Sequence, residues 1–257
     1  MNITDFTALL PPSSLFSGQI QVLDRVDSTN NRLKELAQQG AAEGTVLLAE
    51  EQTAGRGTQG RTFFSTRGEG LYLSLLLRPR VPLPDLLTLT GRTAVAVRDG
   101  IQSACGAPVS IKWLNDIYLN GRKLCGILTE LSPNLTDYAV IGIGVNVSQS
   151  ADTFRLQELD SIATSLAAEG YPVSRQQLAA AILTAIEDMY RIFPGGRDAA
   201  LDRYRAHCLT VGRAISFQVA GHILTGTARS IDQNFALLAE DTSGRQHTIS
   251  SGTVTML

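Results

Sequence analysis

The sequence predicts an α+β fold, in which a mixed or antiparallel sheet flanked by helices is followed by a small C-terminal β-barrel domain. Three observations support this prediction. Helix and strand patterns alternate in the larger, N-terminal part of the chain; the connector Asn120-Gly121 is a strong β-hairpin signal; and short strand patterns fill residues 211–257. We therefore predict a larger domain of residues 1–208 and a small β-domain of residues 209–257.

The elements of the larger domain are assigned in order. Good N-cap residues and Gly40 bound a helix over residues 29–39, and a buried strand follows over residues 45–49. Residues 71–78 form another strand pattern, and residues 85–104 have the 3.6-residue periodicity of one long helix. The remaining predicted elements are strands over residues 109–113, 117–119, 122–131 and 138–147, a helix that Ser174 caps, and a shorter helix that ends near Cys208.

The composition excludes several classes of protein. The chain has 257 residues, of which 44% are hydrophobic and 18% charged, and this is typical of a globular protein that buries a core. Its 22 Lys and Arg against 24 Asp and Glu leave a net charge of −2, so we expect no nucleic-acid partner. The longest nearly apolar run, residues 71–77, is too short to span a membrane, and the N-terminus has no signal-peptide pattern. We expect a cytoplasmic protein without a membrane partner.

No cluster of cysteine and histidine predicts a metal site or nucleophilic catalysis. Cys105, Cys125 and Cys208 are widely separated, so we interpret them as small buried hydrophobic residues. The three histidines lie in or beside the C-terminal segment and match no hydrolase or metalloprotease motif. We interpret them as surface or structural residues.

A loop over residues 51–61 is the first candidate functional segment. It contains the pattern G-x-G-x-x-G, but no helix pattern follows it, so we disfavour a dinucleotide-binding fingerprint. Its three glycines, with Arg56 and Arg61, could direct backbone N–H groups and guanidinium groups toward one anion. The alternative is an ordinary solvated surface loop.

The predicted hairpin brings a second set of charges together. If its loop has two residues, Tyr118 lies opposite Lys123, and both Asp116 and Lys112 share that face because side chains alternate along a strand. Gly126 would leave room for a ligand near the backbone. The alternative is a solvated sheet face with ordinary ion pairs.

A third candidate is the apolar strand pattern over residues 141–147, which Gly142 and Gly144 interrupt. Glycine inside a strand indicates either a close approach to the backbone or packing against a neighbouring helix. Asn146 would need a polar partner there, from the fold or from a ligand.

Six motifs occur together in an order and spacing that resemble the biotin protein ligase family. They are D-S-T-N at 27–30, E-Q-T-A-G-R-G-T-Q-G-R at 51–61, L-Y-L-S at 71–74, K-W-L-N-D at 112–116, R-K-L-C-G-I-L at 122–128 and G-I-G-V-N at 142–146. The resemblance covers the chain from about residue 20 to its end. It implies an ATP-dependent ligase that forms biotinyl-5′-AMP and then transfers biotin to a lysine of the biotin carboxyl carrier protein of acetyl-CoA carboxylase.

The resemblance also implies the site. ATP and Mg²⁺ would be co-substrates and biotin the substrate, with no tightly bound prosthetic group. The catalytic residues would be Lys123, Arg56, Lys112 and Asp116, of which Asp116 is a candidate ligand for Mg²⁺. The residues that would bind biotin are Ser28, Thr29, Asn30, Gln52, Gly55, Arg56, Gly57, Thr58, Lys123 and Gly126. The residues that would contact ATP or the adenylate are Arg56, Arg61, Asn115 and Asn146.

The sequence departs from the family pattern at three positions. Thr58 replaces the second arginine of the usual loop G-R-G-R-x-G-R, Leu114 replaces the proline of K-W-P-N-D, and Thr253 follows a glycine where an acidic residue is common. Only 26 residues precede Asp27, too few for the N-terminal DNA-binding domain of larger members, so the sequence resembles the ligase-only class. A lipoate or octanoate ligase of the same fold and a non-catalytic biotin-binding regulator stay open as alternatives, as do a monomer and a weak homodimer.

Overall fold

The computed structural model describes residues 6, 8–135 and 137–257 and places two β-sheets in them. The larger sheet has seven strands in the order β1-β2-β3-β7-β6-β5-β4. Their bounds are β1 (Ile20–Leu23), β2 (Val46–Ala49), β3 (Gly70–Leu77), β4 (Ser110–Lys112), β5 (Asp116–Leu119), β6 (Arg122–Leu131) and β7 (Ala139–Asn146). β1 and β2 are parallel and the other neighbouring strands antiparallel, so the predicted mixed sheet is confirmed.

Helices cover both faces of this sheet. Their bounds are α1 (Thr29–Gln38), α2 (Leu83–Leu86), α3 (Leu89–Cys105), α4 (Ala151–Arg155), α5 (Arg175–Arg191) and α6 (Arg197–His207). α1 packs on one face, where Leu33 and Leu76 belong to a small core. The main core lies on the opposite face, between the sheet and the helices α3 and α5. Side chains alternate between the two faces along β3 and β7. Their even-numbered residues therefore point toward α1 and their odd-numbered residues toward the main core.

The prediction of one helix over residues 85–104 is wrong, because the segment contains two helices. α2 ends at Leu86 and α3 begins at Leu89. The backbone N–H of Thr88 donates to the carbonyl of Asp85 at 3.0 Å, and the Thr88 hydroxyl donates to the same oxygen at 2.7 Å. These local bonds span three residues and replace the four-residue spacing that would continue the helix.

β5 and β6 form the predicted hairpin. The two residues of its loop, Asn120-Gly121, have φ values of 48° and 80°, as a type I′ turn requires. Tyr118 pairs with Lys123, which confirms the predicted register. A bulge beyond this pair brings Asp116 opposite Gly126.

The C-terminal segment forms a second, antiparallel sheet, which is consistent with the predicted small β-domain. Its five antiparallel strands run in the order β11-β10-β9-β8-β12, with bounds β8 (Ala214–Val219), β9 (His222–Ile231), β10 (Leu237–Asp241), β11 (Gln246–Ile249) and β12 (Val254–Met256). Phe235 joins this sheet to the rest of the molecule, because its ring packs against Gly91 of α3 and its carbonyl accepts a 2.8 Å hydrogen bond from the Trp113 indole. The domain boundary between residues 208 and 209 stays a prediction.

No helix in the described part of the chain is long and apolar enough to cross a membrane. Among the same residues, no group of three or more His, Cys, Asp or Glu is arranged to hold a metal ion. All three cysteines are free; Cys125 and Cys208 are buried, whereas Cys105 is only half-buried. His247 is held 2.7 Å from Asp241, which agrees with a structural role.

Candidate active site

Two adjoining pockets open along one face of the seven-stranded sheet. The inner pocket is lined mainly by the start of α1, the loop after β2, and strands β6 and β7. The outer pocket is lined mainly by β4, β5, the segment after α4, and β12. Five residues line both pockets, and we call them the common wall: Arg61, Thr62, Phe63, Asp116 and Lys123.

Glycines form the floor of the inner pocket. One row of paired residues crosses the sheet from Asp116 through Gly126 to Gly144. A Cβ atom on Gly144 would lie 2.6 Å from the ring of Phe63, and Gly142 makes room for α1 in the same way. The two glycines of β7 therefore let other groups pack closely against the strand backbone: the Phe63 ring at Gly144 and the first turn of α1 at Gly142.

Neutral polar groups line the inner pocket where α1 begins. The Gln52 Oε1 atom accepts hydrogen bonds from the backbone N–H of Thr29 at 2.9 Å and from its hydroxyl at 3.0 Å. The Ser74 hydroxyl lies 2.7 Å from Thr29 Oγ1 and 2.6 Å from Asn30 Oδ1. Ser28 is the N-cap residue of α1, but its side chain makes no capping hydrogen bond. This buried network fixes the direction of its donors and acceptors, and the hydroxyl of Ser28 is not used by the helix.

Charged groups are concentrated at the common wall. Lys123 Nζ lies 2.7 Å from Asp116 Oδ1, and Lys112 pairs with Asp116 across β4 and β5. Lys112 Nζ also lies 5.5 Å from the ring centroid of Tyr118. Burial lowers the pKa of Lys112, and the attraction of Asp116 offsets this only in part. Burial also raises the pKa of Tyr118 to about 12. Among the described residues that line either pocket, Asp116 is the only carboxylate, so the wall carries excess positive charge.

The loop after β2 folds back on itself along the rim of the inner pocket. The backbone N–H of Gly57 donates to the carbonyl of Arg61 at 2.7 Å, and that of Phe63 donates to the carbonyl of Gly55 at 2.8 Å. Thr58 is exposed at the rim. A Cβ atom on Gly55 would lie 2.6 Å from the Phe63 carbonyl oxygen, so this position needs glycine for the fold of the loop itself.

The C-terminal sheet contributes to the outer pocket. The guanidinium of Arg61 donates to the hydroxyl of Thr253, and that hydroxyl donates to the side-chain carbonyl of Gln59. Thr255 and Met256 of β12 line the outer pocket directly. The loop and the last turn of the chain are therefore in contact at the entrance to the site.

The structure brings together nearly all of the residues predicted for the site. The inner pocket is lined by Ser28, Thr29, Asn30, Gln52, Arg56, Gly57, Thr58, Arg61, Asn115, Asp116, Lys123 and Gly126. Lys112 and Asn146 line the outer pocket. Gly55 lines neither pocket. The amide of Asn115 donates to the carbonyl of Ile127 at 2.6 Å, and that of Asn146 donates to the carbonyl of Thr164 at 2.9 Å, so both amides are also part of the fold.

The sequence analysis missed several residues of the two pockets. Phe63 lies in the common wall, two residues after the candidate loop over residues 51–61, and this closeness in sequence could have indicated it. Ser74, the last residue of the motif L-Y-L-S, belongs to the buried network behind the inner pocket but was given no role in the predicted site. Nothing local in the sequence indicates that Thr255 and Met256 of the C-terminal sheet reach the outer pocket.

Comparison with known proteins identifies the family. The model of the biotin/lipoate A/B protein ligase family matches residues 22–146, the range that holds most of the two pockets. The biotin–[acetyl-CoA-carboxylase] ligase of Mycobacterium tuberculosis is 33% identical over 246 residues, which are 93% of this chain and 89% of that protein. The chain belongs to the biotin protein ligases. Another relative, the bifunctional ligase/repressor BirA of Bacillus spizizenii, is 39% identical over 225 residues, which are 86% of this chain and 69% of the relative.

A solved biotin protein ligase shows the same fold. The Aquifex aeolicus protein, in a complex with biotin and ATP, matches with a TM-score of 0.79 and 28% identity, and the match covers 93% of this chain and 99% of that chain. Two of the departures of this biotin protein ligase from the family pattern lie at or beside the inner pocket. Thr58 presents a hydroxyl at the pocket rim, and Leu114, at the proline position, follows a cis peptide bond with Trp113.

Proposed function

We propose that this enzyme joins biotin to a lysine of a biotin carboxyl carrier protein in two steps, through biotinyl-5′-AMP. The observation that carries the proposal is the pair of pockets with one cationic wall between them. A neutral polar pocket suits an uncharged ring, and a cationic wall suits the carboxylate and phosphates that must meet beside it. Relatives named biotin–[acetyl-CoA-carboxylase] ligases, and a similar structure with biotin and ATP, support the same reaction and the carrier of acetyl-CoA carboxylase as partner.

The inner pocket would hold biotin. Its ureido ring offers one carbonyl acceptor and two N–H donors, which match the hydroxyls of Ser28 and Thr29 and the amide of Gln52. These partners are neutral and fixed in place by the network around Ser74, so binding the ring would require little reorganisation. The biotin carboxylate would then point toward the common wall.

The common wall and the cations beside it would assist the first step. A carboxylate oxygen of biotin attacks the α-phosphorus of ATP, a new P–O bond forms, and pyrophosphate leaves with the electrons of the broken P–O bond. Lys123, Arg56 and Lys112 would stabilise the negative charge that accumulates at the α-phosphate, with Arg61 at the phosphates. Asn115, which lines the inner pocket, and Asn146, which lines the outer pocket, would contact the nucleoside, as the family resemblance implies.

Mg²⁺ would enter as the complex with ATP. The donor set in the described residues fits this mode, because Asp116 is the only carboxylate in either pocket and Mg²⁺ is commonly held by one or two carboxylates together with phosphates and water. When bound, the ion would neutralise phosphate charge. Asp116 itself holds Lys123 at 2.7 Å and so orients that ammonium group.

In the second step, the neutral amine of the carrier lysine attacks the carbonyl carbon of the mixed anhydride. An amide bond forms, the amine loses a proton, and AMP leaves with the phosphate oxygen. We propose that this takes place in the cytoplasm, as the free cysteines suggest, without nucleic acid, in a monomer or a weak homodimer that sedimentation would distinguish.

Biotin-dependent exchange of pyrophosphate into ATP tests the proposal. We expect exchange with biotin and none with lipoate or octanoate. Exchange that depends on lipoate or octanoate would indicate the rival ligase. Tight biotin binding without exchange would indicate a non-catalytic regulator.

A further inference from the structure

A carboxylate outside both pockets holds one of the predicted site residues. Glu130 of β6 is largely buried and lies beside the rim of the inner pocket. Its Oε1 atom lies 2.7 Å from Lys34 Nζ and 2.9 Å from Arg56 Nη1. Its Oε2 atom lies 2.9 Å from Asn30 Nδ2 and 3.1 Å from Arg56 Nη1. Four contacts saturate the carboxylate, which has about four lone-pair positions.

Arg56 uses only one of its nitrogens in this cluster. All the contacts that the structure gives to its guanidinium, to Glu130 and at 2.9 Å to Asn31 Oδ1, run through Nη1. The other N–H groups of the fork make no hydrogen bond within the described residues. A guanidinium held in this way keeps one side for a planar anion.

The charges of the cluster do not cancel at Arg56. Lys34 and Arg56 together carry two positive charges against the single negative charge of Glu130. Burial alone would raise the pKa of Glu130, but the hydrogen bonds from Lys34 and Asn30 and the charges of Lys34 and Arg56 hold it below its ordinary value. Glu130 is therefore ionised at neutral pH, and Lys34 balances its charge. The carboxylate of Asp27, which accepts a hydrogen bond from Asn31, also attracts Arg56 from nearby. For a ligand, Arg56 keeps the N–H groups that Glu130 and Asn31 do not use.

We propose that Glu130 is a positioning residue that orients Arg56 toward the bound acid and the adenylate, and that Lys34 keeps the charge of Arg56 available by balancing Glu130. This inference rests on the proposed function. It also follows from the departure at position 58, because a threonine there leaves Arg56 without a second loop arginine two residues later. The orientation of Arg56 should then limit how long the adenylate is retained.

The test measures the release of synthetic biotinyl-5′-AMP from the full chain by stopped flow, together with KM for biotin and kcat. We expect Glu130→Gln to speed release and raise KM for biotin by about tenfold, the smaller effect of losing one charge-assisted contact, with a much smaller change in kcat. Lys34→Gln should speed release severalfold in the native background and have no effect with Glu130→Gln.

A double-mutant cycle with Arg56→Gln separates positioning from simple structural support. If Glu130 acts through Arg56, adding Glu130→Gln to Arg56→Gln should change neither release nor KM further. Equal effects of Glu130→Gln with and without Arg56 would overturn the proposal, as would unchanged release in the single variant. Glu43→Gln is the matched control, because Glu43 accepts hydrogen bonds from Tyr190 and from the Arg78 backbone away from both pockets. It should alter the melting temperature and leave release unchanged.

The two proposals fail in distinguishable ways. A native chain that binds biotinyl-5′-AMP but shows no biotin-dependent exchange would overturn the proposed catalysis, while the cycle would still decide the role of Glu130. A native chain that binds neither biotin nor the adenylate would overturn both. Exchange by the native chain with independent effects of Glu130 and Arg56 would overturn only the inference about Glu130.

Discussion

The inner and outer pockets share a wall but are built from different chemistry. Apart from Arg56 and the charges of the common wall, the inner pocket is lined by uncharged residues, and Thr29 and Gln52 among them belong to a buried hydrogen-bond network with Ser74 behind the pocket. The outer pocket contains the half-buried Lys112, whose pKa burial lowers, beside an aromatic ring and a single carboxylate. The polar groups of the buried network have hydrogen-bond partners without a ligand. Lys112 in the outer pocket, in contrast, is a charged group whose burial costs free energy.

This difference predicts how substitutions divide between recognition, chemistry and stability. Changes in the inner pocket should act through shape and hydrogen bonding, and should therefore affect the binding of the ring. Changes at the common wall and in the outer pocket should act through charge, and should affect rate while sparing or improving the fold.

The largest effect is expected from Lys123→Ala. Removing this ammonium group should slow adenylation by about a hundredfold, the usual effect of losing one preorganised donor at a developing charge. The measurement is single-turnover formation of biotinyl-5′-AMP. Arg122→Ala is the control, because this neighbouring cation pairs with Glu169 and lines neither pocket. Adenylation at the native rate in Lys123→Ala would show that the charged wall is only a solvated surface.

Thr58→Arg should have the next largest effect. It would restore the second arginine of the loop and slow release of the adenylate by about ten- to a hundredfold, if the new guanidinium makes one charge-assisted contact. Thr53→Arg adds the same charge at another exposed loop position that does not line the inner pocket, and should leave release unchanged. An equal dissociation rate for native and Thr58→Arg enzyme would mean that the missing arginine is already replaced or has no role.

Gly144→Ala tests the inner pocket through shape. Its Cβ atom would lie 2.6 Å from the ring of Phe63, which lines the inner pocket, so the ring must shift. Overpacking of this kind should lower the free energy of unfolding by about 1–3 kcal/mol, and it should also raise KM for biotin. Gly18→Ala is the control, since nothing lies within 4 Å of its added atom. Native stability and native KM in Gly144→Ala would contradict a closely packed floor.

Lys112→Met should have the smallest effect, and it should raise the stability of the fold, whereas Gly144→Ala lowers it. Burial lowers the pKa of Lys112, so the unfolded chain binds this proton more tightly, and the native enzyme gains stability as pH rises from the lowered pKa toward the ordinary lysine pKa of 10.5. At neutral pH the methionine variant should melt higher, by no more than about 4 °C, and should lose this part of the pH dependence. It should also adenylate more slowly. A lower melting temperature at neutral pH would show that the ammonium group stabilises the fold.

Features that depend on neighbouring residues in the sequence were predicted better than features that depend on tertiary contacts. The Asn120-Gly121 turn fixed the register that joins Asp116 to the lysines, because a two-residue loop allows few alternatives. The break at Thr88 escaped prediction because it depends on competing hydrogen bonds rather than on hydrophobic periodicity. Gly55 lines neither pocket, and its small size is needed for the turn of the loop, so its contact with biotin stays a prediction.

The sequence indicated the parts of the candidate site that lie in one loop and in neighbouring strands. It did not indicate the parts that form where distant segments of the chain meet. Glu130 looked like an ordinary strand residue, and only the folded chain shows that side chains from α1 and from the loop after β2, Lys34 and Arg56, both pair with it. Thr255 and Met256 carry no local pattern that indicates a pocket. Sequence spacing specifies which residues share one strand or one turn, but not which surfaces meet across the fold.

The contact between Arg61, Gln59 and Thr253 has a consequence for exchanging parts between relatives. In a chimaera that receives the C-terminal sheet of another ligase, the loop after β2 would contact a different residue at position 253. This would hold even if every residue of the inner pocket were kept. Transplanting the loop alone would create the reciprocal mismatch. The loop and the last turn of the chain should therefore be moved as one unit in engineering, and substitutions at these positions should be interpreted in pairs.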